Sequence, residues 1–118
     1  MNMLPNFKQA VIPAEKLIKY SLNIEKDYNK ATTFRLALGY TINNAHKLIE
    51  NIHHNLENHV AAHKGNNGFG EVYECILKIK GENGKQANVL TSWIIETGTN
   101  YPRLTNVYVT KKKAREPK

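Results

Sequence analysis

Cysteine, acidic residues and long apolar runs are all scarce in this chain. A single cysteine, Cys75, excludes an internal disulfide and a cysteine-based zinc cluster. Its place in a strand-like run reads as a buried thiol rather than a nucleophile. No apolar stretch approaches the ~18 residues of a membrane-spanning helix, and residues 1–13 lack the basic start and long apolar core of a secretory signal. GxxxxGKS and GxxxxGKT are missing, and GNNGFG differs from GxGxxG and leads into a strand pattern rather than a helix. GxSxG and HExxH are missing as well. Asp and Glu number 10 against 17 Lys and Arg, a formal net charge of +7. Five positive charges and one negative sit in the closing KKKAREPK, so the tail is strongly basic and the body mildly so. That imbalance favours a polyanionic partner.

What is present is organised around residues 69–110. Three runs rich in Val, Ile, Tyr, Trp and Thr are separated by GENGK and TGTNYP. The Asn83-Gly84 pair suits a turn that requires positive φ. Runs this close in sequence pair antiparallel, because a parallel return needs a crossover of a dozen or more residues. Glu71, Thr91, Arg103 and Thr105 are read as the alternating polar positions of this meander.

The first 62 residues supply a cover. Residues 1–12 read as an extended or irregular lead-in from which a fourth strand, residues 5–12, is drawn. Pro13 suits the first turn of a helix over 14–20. A second helix spans 30–38, with Phe34, Ala37 and Leu38 for burial and Gly39 at its end. Thr41 caps a third and longer helix, whose stripe is Ile42, Ala45, Ile49, Ile52, Leu56 and Val60. HKGNNGFG reads as a flexible loop carrying His63 and Lys64, either a plain linker or the border of a cleft. The expected fold is α+β, N-terminal helices on a three- to four-stranded antiparallel sheet. It forms one domain over residues 1–110, followed by a basic tail, 111–118, that is a candidate for disorder.

All five histidines, His46, His53, His54, His59 and His63, fall between positions 46 and 63. Their spacing matches no metal motif, and no metal or other cofactor is expected. An imidazole titrates near neutrality unaided, and His63 is the first candidate for an acid or base, His59 the second. Ser92, beside Trp93 within a strand, reads as structural. Cleaving RNA without metal needs a base for the 2′-hydroxyl, an acid for the leaving 5′-oxygen and cations around phosphorus. His63, Glu71, Lys64, Arg103 and Thr105 are the candidates for those roles, Arg103 as a bidentate phosphate ligand. Thr91, Trp93, Tyr73, Tyr101 and Tyr108 are candidates for RNA contact, the rings by stacking, with Lys111, Lys112 and Lys113 for the backbone.

AVIPAEKLIKYSLN, ALGYT and GEVYECILKIKGENGKQANVLTSWIIETGTNYPRLTNVYV together cover about residues 8–109. They resemble a small uncharacterised domain family found at the C-terminal ends of bacterial polymorphic toxins, contact-dependent growth-inhibition proteins among them, and in phage head-associated proteins. The order of elements also resembles the metal-independent ribonucleases typified by barnase, EndoU-type enzymes, colicin nucleases and RelE (the BECR fold), although no motif of barnase or the colicins matches letter for letter. That resemblance implies a toxin that cleaves tRNA or another structured RNA, with its site on the open sheet face and edge loops. It also implies an acidic cognate immunity protein, action in the cytoplasm of a target cell after delivery as part of a larger exported protein, and room for an unidentified host protein cofactor. A non-catalytic nucleic-acid-binding or protein-interaction module is the alternative.

Overall fold

The computed structural model describes residues 2–117; Met1 and Lys118, the outer ends of the expected lead-in and tail, lie outside the described residues. Helix α1 (Ala14–Lys16) runs directly into a π-helical turn (Leu17–Ser21). Helix α2 (Tyr28–Leu38) starts where the Asp27 carboxylate accepts the Lys30 amide at 3.0 Å. It stops at Gly39, whose φ of 76° is left-handed. A capping box between Thr41 and Asn44 opens a short 3-10 turn that leads into α3 (Ala45–Asn55). The buried stripe of α3 is Ala45, Leu48 and Ile52, continued by Leu56; Ile49 is only half-buried and Ile42 is exposed. Leu48 therefore takes the central place that the sequence pattern assigns to Ile49.

Four strands, β1 (Ala61–Asn66), β2 (Gly70–Lys80), β3 (Gln86–Glu96) and β4 (Arg103–Thr110), form one antiparallel sheet in the order β1-β2-β3-β4. Helices and sheet together make an α+β fold. The fourth strand comes from the segment read as a loop, not from residues 5–12. Within residues 5–12, Val11 makes only an isolated parallel bridge to Arg103 at the opposite edge. Asn-Gly does turn the β2–β3 hairpin, with Gly84 at φ 81°. Gly81 serves a different need: a Cβ there would meet the Leu38 carbonyl oxygen at 2.2 Å, so the hairpin can close onto the end of α2.

Side-chain parity then sets the core. Cys75, Leu77 and Ile79 from β2, Val89 and Trp93 from β3, and Leu104 and Val107 from β4 meet Leu17, Phe34, Leu38, Tyr40, Leu48 and Ile52 from the helical layer. Helix α2 lies against β3 and β4, and α3 against β2. Full burial of an aliphatic or aromatic side chain contributes about 1.5–3 kcal/mol, so this one layer dominates stability.

The basic tail is tied down rather than free. Lys112 O accepts from Asn88 Nδ2 at 2.9 Å, Arg115 O from the Val60 amide at 2.7 Å, and Glu116 pairs with Lys78 at 3.6 Å. The tail therefore runs from β4 back to the start of β1. The next amide, Ala61, donates to Asn2 O at 2.9 Å, so both ends of the described chain meet at residues 60–61. Among the described residues no helix is long and apolar enough to cross a membrane.

Candidate nucleic-acid interface

His63 lies in β1, paired with Tyr73, and the next residue, Lys64, is the extra residue of a β-bulge between His63 and Gly65. A bulge re-aims side chains and often marks a functional edge. Here it leaves both cationic-capable side chains exposed on the outer strand. His63 Nε2 is 3.4 Å from Glu71 Oε1, and its ring lies 5.0 Å from that of Tyr73 at a 43° tilt. Both members of the pair are about half exposed. The second carboxylate oxygen of Glu71, Oε2, is buried and has no hydrogen-bond partner among the described residues. An orphaned buried acceptor costs about 1–3 kcal/mol, and in a native structure such an atom calls for an explanation.

Arg103 is not part of this group. It opens β4, two strands beyond β2, and three interstrand spacings of ~4.8 Å put the outer strands about 14 Å apart. Its register partner is Ile94, whereas His63 lies in line with Tyr73 and Trp93. The two residues therefore point to opposite faces as well as opposite edges. Arg103 Nε and a terminal guanidinium nitrogen both lie 3.1 Å from Glu96 Oε1, so Glu96, and not Glu71, is its partner. His63 and Glu71 form one pair, with Lys64 next to His63 along the bulged strand and Arg103 elsewhere.

Residues 3–111 match the family DUF6883, described as a domain of unknown function. The chain belongs to the DUF6883 family. No curated protein and no solved structure matches it.

Two of the residues read as RNA contacts are core residues of this DUF6883 fold. Thr91 and Trp93 have no exposed surface. Their strand positions face the helices, and the indole Nε1–H donates to Thr91 Oγ1 at 2.8 Å while that hydroxyl donates to Cys75 O at 2.6 Å. Neither can stack on a base. Plain alternation puts Thr91 and Arg103 on one polar face, whereas the β4 bulge opposite Ser92 and Trp93 separates their parities. The Thr105 hydroxyl already donates to Ser92 O at 3.2 Å, which leaves it an acceptor and unsuited to donate to a phosphate.

His59 is 3% exposed. Its Nδ1 lies 2.8 Å from Asn55 O and its Nε2 accepts the Lys78 amide at 3.1 Å. That ring fills in for a strand partner just before β1 begins, and almost none of its surface is open to a substrate. Tyr101 and the loop-tip Phe69 are exposed. Phe69 O accepts both the amide and the hydroxyl of Thr97, so the β1–β2 tip adjoins the β3–β4 loop that bears Tyr101. The sequence signal for Phe69 is an aromatic flanked by Gly68 and Gly70 in a turn. Tyr108 stacks beneath Lys30 Nζ, 5.4 Å from the ring centroid. Lys111, Lys112 and Lys113 are exposed along the tail. Among the described residues no group of three or more His, Cys, Asp and Glu side chains is placed to hold a metal.

Proposed function

We propose that the domain is a metal-independent ribonuclease in which His63, oriented by Glu71, is the acid–base residue and Lys64 neutralises charge on the reacting phosphate. The observation that carries this reading is the exposed His63–Glu71 pair at 3.4 Å beside a lysine on a strand bulge. Glu71 lies next to Nε2 and favours a proton there, which leaves Nδ1 with its lone pair and no hydrogen bond to a described residue. Nδ1 then takes the 2′-hydroxyl proton, the 2′-oxygen bonds to phosphorus, and the P–O5′ bond breaks. The imidazolium returns its proton to O5′, leaving a 2′,3′-cyclic phosphate and a 5′-hydroxyl. The Lys64 ammonium offsets the charge that develops on the phosphoryl oxygens, and the exposed rings of Phe69 and Tyr101 offer stacking for splayed bases. As a toxin, such a domain acts on tRNA or another structured RNA in a target cell's cytoplasm and is neutralised by an acidic immunity protein covering the basic edge.

The test is total tRNA incubated with the purified domain in EDTA. Fragments ending in 2′,3′-cyclic phosphate are expected, and His63→Ala is expected to slow their formation at least about a hundredfold, the lower end of acid–base contributions. Arg103→Ala, on the opposite edge, is expected to weaken binding without a comparable loss of rate at saturation. An equally active His63→Ala variant would refute the assignment. A second reading, nucleic-acid binding without catalysis, is favoured by the distance of Arg103 from the pair. RNA that is bound yet left intact would support it.

A further inference from the structure

At the edge of the sheet away from His63, the π-helical turn and the start of α2 stand off β4 around a cleft of about 260 Å³ lined by Lys16, Tyr20, Lys26, Lys30, Thr105 and Asn106. Three ammonium groups face one carboxylate there, Asp27, which is partly committed to capping α2. Its other oxygen lies 3.9 Å from Lys30 Nζ. Lys16 and Lys26 make no ion pair among the described residues. Lys16 Nζ is 6.0 Å above the Tyr20 ring, and Lys30 is held in place by Asn106 Oδ1 at 2.8 Å. Asn106 Oδ1 also accepts the Val107 amide at 2.9 Å, which leaves the side-chain nitrogen as a donor with no hydrogen bond to a described residue. A concavity with uncompensated cations focuses an attractive field on anions, and Tyr20 and Tyr108 place aromatic rings beside it.

We propose that this cleft binds a phosphate group of a polynucleotide strand, an inference that rests on the ribonuclease reading for its choice of a strand over free phosphate. The rings favour an ester that carries a base, since stacking on an aromatic side chain is worth about 1–3 kcal/mol per base. The cleft lies at the β4 edge and His63 at the β1 edge, about 14 Å apart by strand spacing. A strand of several nucleotides is needed to reach both. The cleft thus selects against very short substrates, and it positions a longer one for cleavage at the far edge.

The test uses a fluorescent 2′-O-methyl oligonucleotide, which has no 2′-hydroxyl to react, so binding is read apart from cleavage. Lys16→Gln and Lys26→Gln are combined because neither side chain holds another in place, whereas Lys30 does. The paired variant is expected to keep the wild-type Tm and to show a salt dependence of log Kd shallower by about 0.7, the value for one single-strand phosphate contact. An unchanged slope and affinity would overturn the cleft. Inorganic phosphate is titrated in parallel, with the Lys30 and Asn106 amide resonances as reporters. Saturation by inorganic phosphate that the oligonucleotide fails to displace would overturn the strand assignment. Cleft-dependent binding by a protein that leaves natural RNA intact would defeat the ribonuclease reading alone. Cleavage that requires His63, with a salt slope indifferent to Lys16 and Lys26, would defeat the cleft alone.

Discussion

Replacing Thr91 by Val separates a core role from a ligand-binding one. The substitution preserves shape but deletes the hydroxyl that accepts from Trp93 Nε1 at 2.8 Å and donates to Cys75 O at 2.6 Å. Each lost hydrogen bond removes about 1 kcal/mol net, and an indole N–H left buried without a partner adds about 1–3 kcal/mol. The expected loss is therefore about 3–5 kcal/mol, a large share of the 5–15 kcal/mol typical of a domain, and it corresponds to a fall in Tm of roughly 10–20 °C. Trp93 is the only tryptophan and is fully buried, so its fluorescence follows urea unfolding without a label. Thr91→Ser keeps the hydroxyl and loses only a methyl, for about 1 kcal/mol. A Thr91→Val loss below about 0.5 kcal/mol, within the range of ordinary surface changes, would refute the buried chain. So would a loss of RNA affinity at unchanged stability, which would return Thr91 to the interface.

Three further outcomes are expected. His59→Leu strips the Lys78 amide of its acceptor and frees Asn55 O, and should cost about 2–3 kcal/mol in urea unfolding; RNA turnover per folded molecule should not change, and a selective loss of turnover would restore His59 as a catalytic candidate. Burial pushes the Cys75 thiol up to about 12, so alkylating reagents at mildly alkaline pH should spare the native protein and label it in urea; labelling of native protein at the free-thiol rate would contradict this. Burial also lowers the His53 imidazole below its ordinary 6.5. As pH falls the unfolded chain takes that proton first, so stability should decline from about the ordinary value downward and level off below the folded one. His53→Gln should flatten that decline, by a small amount because the residue is also exposed; a variant with the wild-type pH profile would show that His53 contributes nothing to it.

Much of the architecture is legible in the residues themselves. Alternating Cys75, Leu77 and Ile79, the Gly84 turn and the caps at Thr41 and Gly39 are local signals, and each appears where local physics places it. β1 is not legible, because an outer strand paired on one side needs no apolar alternation; its His-Lys-Gly-Asn run therefore resembles a loop. Parity across strands is likewise hidden. One bulged residue at Thr105 decides whether Arg103 shares a face with Trp93, and no local signal announces a bulge. Of the candidate site, the neighbours His63, Lys64 and Glu71 can be found by chemistry alone. The Lys16, Lys26 and Lys30 group needs tertiary structure to be seen, although Lys26 and Lys30 flank the start of α2.

The meeting of both chain ends at Val60 and Ala61 has a mechanical consequence. The carbonyl oxygens of Asn2 and Arg115 accept there from the adjacent amides of Ala61 and Val60. A force drawn between the ends loads the Glu116–Lys78 pair and those terminal bonds first, while the eleven paired positions of β2 and β3 stay outside the load path. The molecule is soft to tension at its ends and stiff in its middle. Joining residue 117 to residue 2 through a short linker, and opening the chain at the exposed β2–β3 turn, should give a circular permutant that keeps the register of every strand pair.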